Sequence, residues 1–192
     1  MGWKPDRQQA YELLKEYNSS ESLINHALAV EGVMRFLAAK YGEDVEKWGA
    51  IGLLHDIDYE MFPDQHCVKA QEILREKGVD EEYIHAVASH GYGICTDIEP
   101  EHLMEKVLYT VDELAGFINA VAIMRPSKSV HDLSVKSVKK KFKTPSFAAK
   151  VDRSIITRGA KMWGVELDYA IEQTILGLRE IAADIGLAGE IG

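Results

Sequence analysis

Apolar residues recur along this chain at intervals of three and four, as in SLINHALAVEGVMRFLAAKY, and no run alternates in the two-residue rhythm of a half-buried strand. That periodicity restricts the chain to an all-α fold. Punctuation divides it into helices. Pro5 opens the first, which runs to about Tyr17. Asn18 and Glu21 have capping-box spacing before a long helix that stops at Gly42. A third runs from about Asp44 to Leu54, and Pro63 ends whatever helix precedes it. Asp64 is placed to cap a fourth helix through Lys77, and Asp80 a fifth that ends at His90-Gly91. The sixth spans about Glu101–Met124. Residues 125–144 read as a loop plus a short helix. Thr144-Pro145 predicts the start of a helix through about Met162, and the last runs from about Glu166 to Ile185.

With 192 residues, 46% of them hydrophobic, the chain suits one compact domain over 1–192. Within it the reading places a functional core at about 18–126 and a helical extension at about 127–192. Cys67 and Cys95 form no CxxC pair, which points to a reducing compartment and to Cys67 as a small core residue. The N-terminal residues lack a basic start followed by an apolar run, and no stretch approaches the ~20 apolar residues of a membrane span. The expected location is cytoplasmic, with no membrane partner. The net charge of −9 makes nucleic acid an unexpected partner. Arg125–Lys161 runs against that balance, with eleven Lys or Arg and two acids, Asp132 and Asp152. Such a segment is either a solvated face or a neighbour of an anionic ligand.

Four positions carry charge or a ligating nitrogen where the pattern is otherwise apolar. His26 lies within INHALAV, His55 and Asp56 end the run AIGLL, and Asp112 sits inside VLYTVDELAGF. A carboxylate buried among such neighbours requires a cation or several hydrogen bonds. Imidazoles and carboxylates around one metal ion satisfy each other's needs together. Taken singly, each residue has an ordinary structural role open to it, so the argument rests on the combination.

His26, then LLHDIDY at 53–59, then a mid-helical Asp112 resembles the HD superfamily of metal-dependent phosphohydrolases, over roughly residues 22–125. The resemblance implies that His26, His55, Asp56 and Asp112 hold one divalent ion. A binuclear subset of the family carries two further histidines at places matched by His66 and His90, where Asp56 would bridge two ions. Iron, manganese, zinc, nickel, cobalt and magnesium all suit such donors to some degree. The implied activity is hydrolysis of a phosphate ester in a nucleotide or other small phosphorylated molecule. Relatives that read HDIGK place a lysine toward the phosphate; here Asp58 and Tyr59 occupy the Gly and Lys places. HGYG at 90–93 is similar to the tyrosine loop of cyclic-di-GMP phosphodiesterases but lacks its proline, so that substrate is not assigned. Lys106, Tyr109 and Asp112 reproduce a K-x-x-Y-x-x-D pattern of some relatives. Asp58 is the candidate acid or base, and Lys106, Arg125 and Lys128 are the candidate phosphate contacts. His85, His102 and His131 are read as lying away from the site. Two alternatives share the ligand set: a diiron oxygenase and a non-catalytic metal- or ligand-binding domain.

Overall fold

The computed structural model describes residues 2–189; residue 1 and residues 190–192 of the expected 1–192 domain lie outside the described residues. The described residues form nine α-helices: α1 (Arg7–Tyr17), α2 (Glu21–Tyr41), α3 (Val45–Leu54), α4 (Val68–Glu76), α5 (Glu81–Ser89), α6 (Leu103–Ile123), α7 (Val135–Phe142), α8 (Arg153–Trp163) and α9 (Leu167–Glu180). A single 3₁₀ turn spans Pro63–Gln65. The described residues contain no strand, only isolated bridges at Trp3–Val79 and Tyr92–Thr96. The fold is all-α.

Local chemistry sets most boundaries where the spacing places them, and the departures have physical causes. Asp6, not Pro5, caps α1: its carboxylate accepts from the Gln9 backbone at 2.9 Å, and the Gln9 side chain accepts from the Asp6 backbone at 3.0 Å. Asn18 does not cap α2, whose N-cap is Ser20. Its buried amide instead donates to the carbonyls of Leu14 and Ile57, at 3.2 and 2.9 Å, and ties the end of α1 to the turn after His55-Asp56. Nor does Asp64 start α4, because Cys67 adopts a left-handed backbone (φ 65°) that separates the 3₁₀ turn from the helix.

The helix expected from Thr144-Pro145 begins only at Arg153. Residues 144–151 form turns, and the Arg153 guanidinium donates to the carbonyl of Phe142 at the end of α7 and to those of Thr144 and Val151, at 2.9, 3.1 and 3.1 Å. Asp152 caps α8 through the Ser154 backbone at 2.8 Å. At the far end α9 stops at Glu180, and the chain turns through to Gly186 at φ 70°.

Helix α2 runs through the centre, packed along α3 on one side and against α6 and α9 on others; α8 lies across α6, and α4 pairs with α5. The backbones of α2 and α3 come close at Gly52, where a Cβ would stand 3.1 Å from the Glu31 Cα. With Leu53, Leu54 and Ile57 fully buried around it, the end of α3 drives His55 into the core. Replacing Gly52 with Leu should wedge α3 off α2 and lower unfolding stability by about 1–3 kcal/mol, the usual cost of overpacking, in a denaturant titration.

Candidate metal centre

Six side chains from five segments meet at one place. Helix α2 brings His26, the end of α3 brings His55 and Asp56, the segment before α4 brings His66, the end of α5 brings His90, and α6 brings Asp112. They form two nests with a shared member. In the first, His26 Nε2 lies 2.8 Å from Asp112 Oδ1 and 3.8 Å from Asp56 Oδ2, while His55 Nε2 lies 3.3 Å from each of those oxygens. In the second, His66 Nε2 and His90 Nε2 each lie 3.4 Å from Asp56 Oδ1 and 3.2 Å from one another. Asp56 therefore stands between the nests with one oxygen facing each.

The histidines are oriented from behind. His55 Nδ1 bonds the Gly52 carbonyl at 2.7 Å, His90 Nδ1 the Val87 carbonyl at 2.5 Å, and His66 Nδ1 the Asp58 carboxylate at 2.8 Å. A ring whose Nδ1–H donates backward presents a bare Nε2 lone pair forward, which is how metal-ligating imidazoles are held. His55 Nε2 is buried and makes no hydrogen bond. A bare lone pair of this kind is costly to bury, and a cation set among these nitrogens and oxygens would satisfy it. The spacing fits as well: ligand atoms about 2.0–2.2 Å from a shared ion sit roughly 3.0–3.5 Å apart.

Electrostatics makes the same demand. Burial opposes charge on His55, yet the carboxylates of Asp56 and Asp112 outweigh it and hold the imidazole well above its usual range. Burial likewise opposes charge on Asp56 and Asp112, but His55 and His90 around the first, and His26 and His55 around the second, keep both far below the usual carboxylate range. The nests require compensating positive charge, which protons on the rings or divalent ions can supply.

A cavity of about 360 Å³ opens over the nests, a size suited to a small ligand. The outer wall includes Tyr59 and Ile94, which are 45% and 58% exposed, and the Tyr59 ring stands edge-on to His66 at 5.1 Å. Val151 closes another side, held there by the turn that Arg153 organises. Glu113 also lines the cavity; burial first, then the charges of Asp112 and Asp152, push its carboxyl up to about 7. Glu113 escaped the sequence reading, although a second acid beside Asp112 in an apolar helix is the same kind of signal.

The other anticipated residues stand elsewhere. Asp58 is fully buried behind His66, where it accepts from that ring and from the Ala70 backbone at 2.8 Å, so it does not face the cavity as an acid or base would. None of the three anticipated phosphate contacts lines the cavity. Arg125 forms a two-pronged pair with Asp132 at 2.7 and 3.1 Å, Lys128 borders a separate hollow with Pro126 and Gly186, and Lys106 is half-buried on α6 two turns before Asp112. Tyr109 is bonded to Arg158 rather than to the site. His85 pairs with buried Glu105 at 2.8 Å, and His102 and His131 are exposed. The basic run is also engaged away from the cavity, with Lys139 paired to Asp168 at 2.6 Å and Lys141 over the Phe147 ring.

An all-α domain whose second, third and sixth helices close on a His/His-Asp/Asp cluster defines a class by its fold and site together. Residues 23–116 match the HD domain, and the chain belongs to the HD-domain superfamily. The chain is 36% identical over 92 residues to a tRNA (cytidine(56)-2'-O)-methyltransferase of Thermoplasma volcanium, 47% of this chain and 27% of that protein. It is 28% identical over 150 residues to the protein of the same name from Picrophilus torridus, 69% of this chain and 44% of that one. It is also 35% identical over 85 residues to Ribonuclease Y of Thermosipho melanesiensis, 42% of this chain and 16% of that protein. The matched segments thus span less than half of each relative's length. No solved structure matches the chain. No helix among the described residues is long and apolar enough to cross a membrane.

Because Asp58 binds two donors inside the protein, Asp58→Ala should cost about 1–3 kcal/mol of unfolding stability through the groups left unpaired, read by denaturant titration.

Proposed function

We propose that this chain is a two-metal hydrolase of phosphate esters, acting on a nucleotide or another small phosphorylated molecule. The observation that carries the reading is the placement of Asp56, with Oδ2 toward His26, His55 and Asp112 and Oδ1 toward His66 and His90. The donors are those that would hold one divalent ion in each nest, with Asp56 common to both. Bound there, the pair would polarise a phosphoryl oxygen and acidify water for attack on phosphorus. Asp58 serves as a positioning residue, fixing which nitrogen of His66 faces forward. The fully buried ring of His55 and the backbone bonds of His55 and His90 keep the nest rigid, so little reorganisation accompanies binding.

The walls indicate what the rest of the substrate contacts. In the place where HDIGK relatives carry a lysine, Tyr59 offers a flat, half-exposed ring at the cavity wall, and Ile94 contributes apolar surface. Such a wall favours a base or another flat apolar group beyond the phosphate over a bare sugar phosphate. HD-domain relatives named as ribonucleases are in keeping with a phosphodiester or nucleotide substrate.

Purified protein loaded with manganese, cobalt or iron should bind two ions per chain. Replacing His66 and His90 together should remove one, and replacing His26 and Asp112 together should remove the other, by metal analysis after dialysis. A screen of phosphomonoesters, dinucleotides and cyclic nucleotides should find metal-dependent phosphate or nucleotide release. Dioxygen consumption by the iron-loaded protein without hydrolysis would overturn the reading in favour of oxygenase chemistry. For whichever nucleotide is turned over, Tyr59→Ala should raise KM about fivefold, the equivalent of ~1 kcal/mol of stacking, and leave KM for a sugar phosphate nearly unchanged.

A further inference from the structure

Beside the second nest lies a group of donors of different character. Cys67 Sγ and Cys95 Sγ are 3.0 Å apart, and Cys67 Sγ is 4.0 Å from His90 Nε2. A ring nitrogen of His66 and both sulfurs fall within 4.8 Å of one another. The backbone is shaped for this meeting. Cys67 holds a left-handed conformation that side-chain-bearing residues rarely adopt, and its thiol makes no capping bond to α4 although it occupies the N-cap. On the opposite side the chain runs through Gly91, where any Cβ would collide with both sulfurs. One thiol is fully buried, whereas Cys95 lines the cavity and can be reached from it.

We propose that His66, Cys67 and Cys95 form a second kind of metal site, one for a thiophilic ion such as Zn²⁺. One imidazole with two sulfurs is a donor set that soft and borderline ions favour over manganese or magnesium, with the cavity side left for a fourth ligand. On binding, both thiols lose their protons to solvent and the two thiolates balance the charge of the ion. This site and the second nitrogen-oxygen nest exclude each other. His66 Nδ1 is committed to Asp58, so Nε2 is the one ring nitrogen left, and it is the atom that faces Asp56 and His90. A thiophilic ion therefore draws His66 away from the hydrolytic pair proposed above and acts as an inhibitor of it. The inference rests on that reading only for this inhibitory consequence; the site itself stands on the meeting of both sulfurs with His66, and the sulfurs, now 3.0 Å apart, would part to about 3.8 Å to take an ion at ~2.3 Å from each.

Cobalt(II) titrated into reduced protein without oxygen tests it, because thiolate ligation gives an intense near-ultraviolet charge-transfer absorption that nitrogen and oxygen ligands do not. The expected result is this absorption in the unaltered protein, its weakening in Cys95→Ser, and its loss in the variant with both cysteines changed to serine. Cys95 stands in a loop, so Cys95→Ser keeps the test interpretable if change at Cys67 perturbs α4. The variant with His26 and Asp112 changed to Ala should retain the absorption, which separates this site from the first nest. In the unaltered protein, zinc added to the manganese-loaded form should displace one manganese, and it should displace none from the double serine variant. Cobalt bound without the absorption would overturn the proposal and leave the hydrolytic reading standing. A mass two hydrogens lower with no free thiols in the reductant-treated protein would overturn it too, showing the pair to be a disulfide instead.

Discussion

Two carboxylates and four imidazoles are gathered into two adjoining nests inside an apolar helical core, and their mutual compensation is the constraint on which the rest of the structure depends. Ions brought in from water each cost several kcal/mol unless matched by opposite charge and hydrogen bonds. The structure meets this from behind, through the carbonyls of Gly52 and Val87 and the carboxylate of Asp58, each of which fixes one ring. It also explains why α2, α3 and α6 must lie so close. His26, His55 and Asp112 belong to three helices, and the glycine contact at Gly52 is what lets the first two approach.

How much of this could be read from the sequence depended on what kind of signal each residue gave. The helices announced themselves by periodicity, and the caps at Asp44, Asp80 and Gly42 stand where the spacing puts them. His26, His55, Asp56 and Asp112 were conspicuous because a polar group interrupts an apolar run, and the fold brings them together with His66 and His90. Residues whose work is decided by long-range packing were not legible. Nothing local shows that Asn18 bonds the carbonyl of Ile57, or that Arg153 collects the carbonyls of the preceding turns and so delays α8. Asp58 illustrates the limit most clearly: its number places it beside the His-Asp pair, but only the turn decides that its carboxylate points back toward Ala70.

The same limit applies to charge. A count of eleven bases against two acids between Arg125 and Lys161 identifies a basic segment, but charge alone does not name its partner. Arg125 finds Asp132, Lys139 finds Asp168, Arg153 finds backbone carbonyls, and Arg158 lies over the rings of Tyr92 and Tyr109. These four are held by partners within the fold, and the segment's contribution to the cavity is the apolar Val151.

That distribution has a consequence for how an anion could enter. The cavity is lined by Asp56, Asp112 and Glu113, and among the described residues that line it there is no lysine or arginine. Asp56 and Asp112, without a cation, would repel a phosphate at close range, and Glu113, its carboxyl pushed up to about 7, adds to that when ionised. If the site is hydrolytic, the ions supply the attraction as well as the chemistry, since two divalent charges outweigh the carboxylates of Asp56, Asp112 and an ionised Glu113. Metal binding must then precede substrate binding, and the apolar wall of Tyr59 and Ile94 is left to choose among the anions that the ions admit. With tyrosine at the place that HDIGK relatives give to a lysine, a hydrolytic site would draw its affinity for phosphate from the metal nests and its discrimination from the ring.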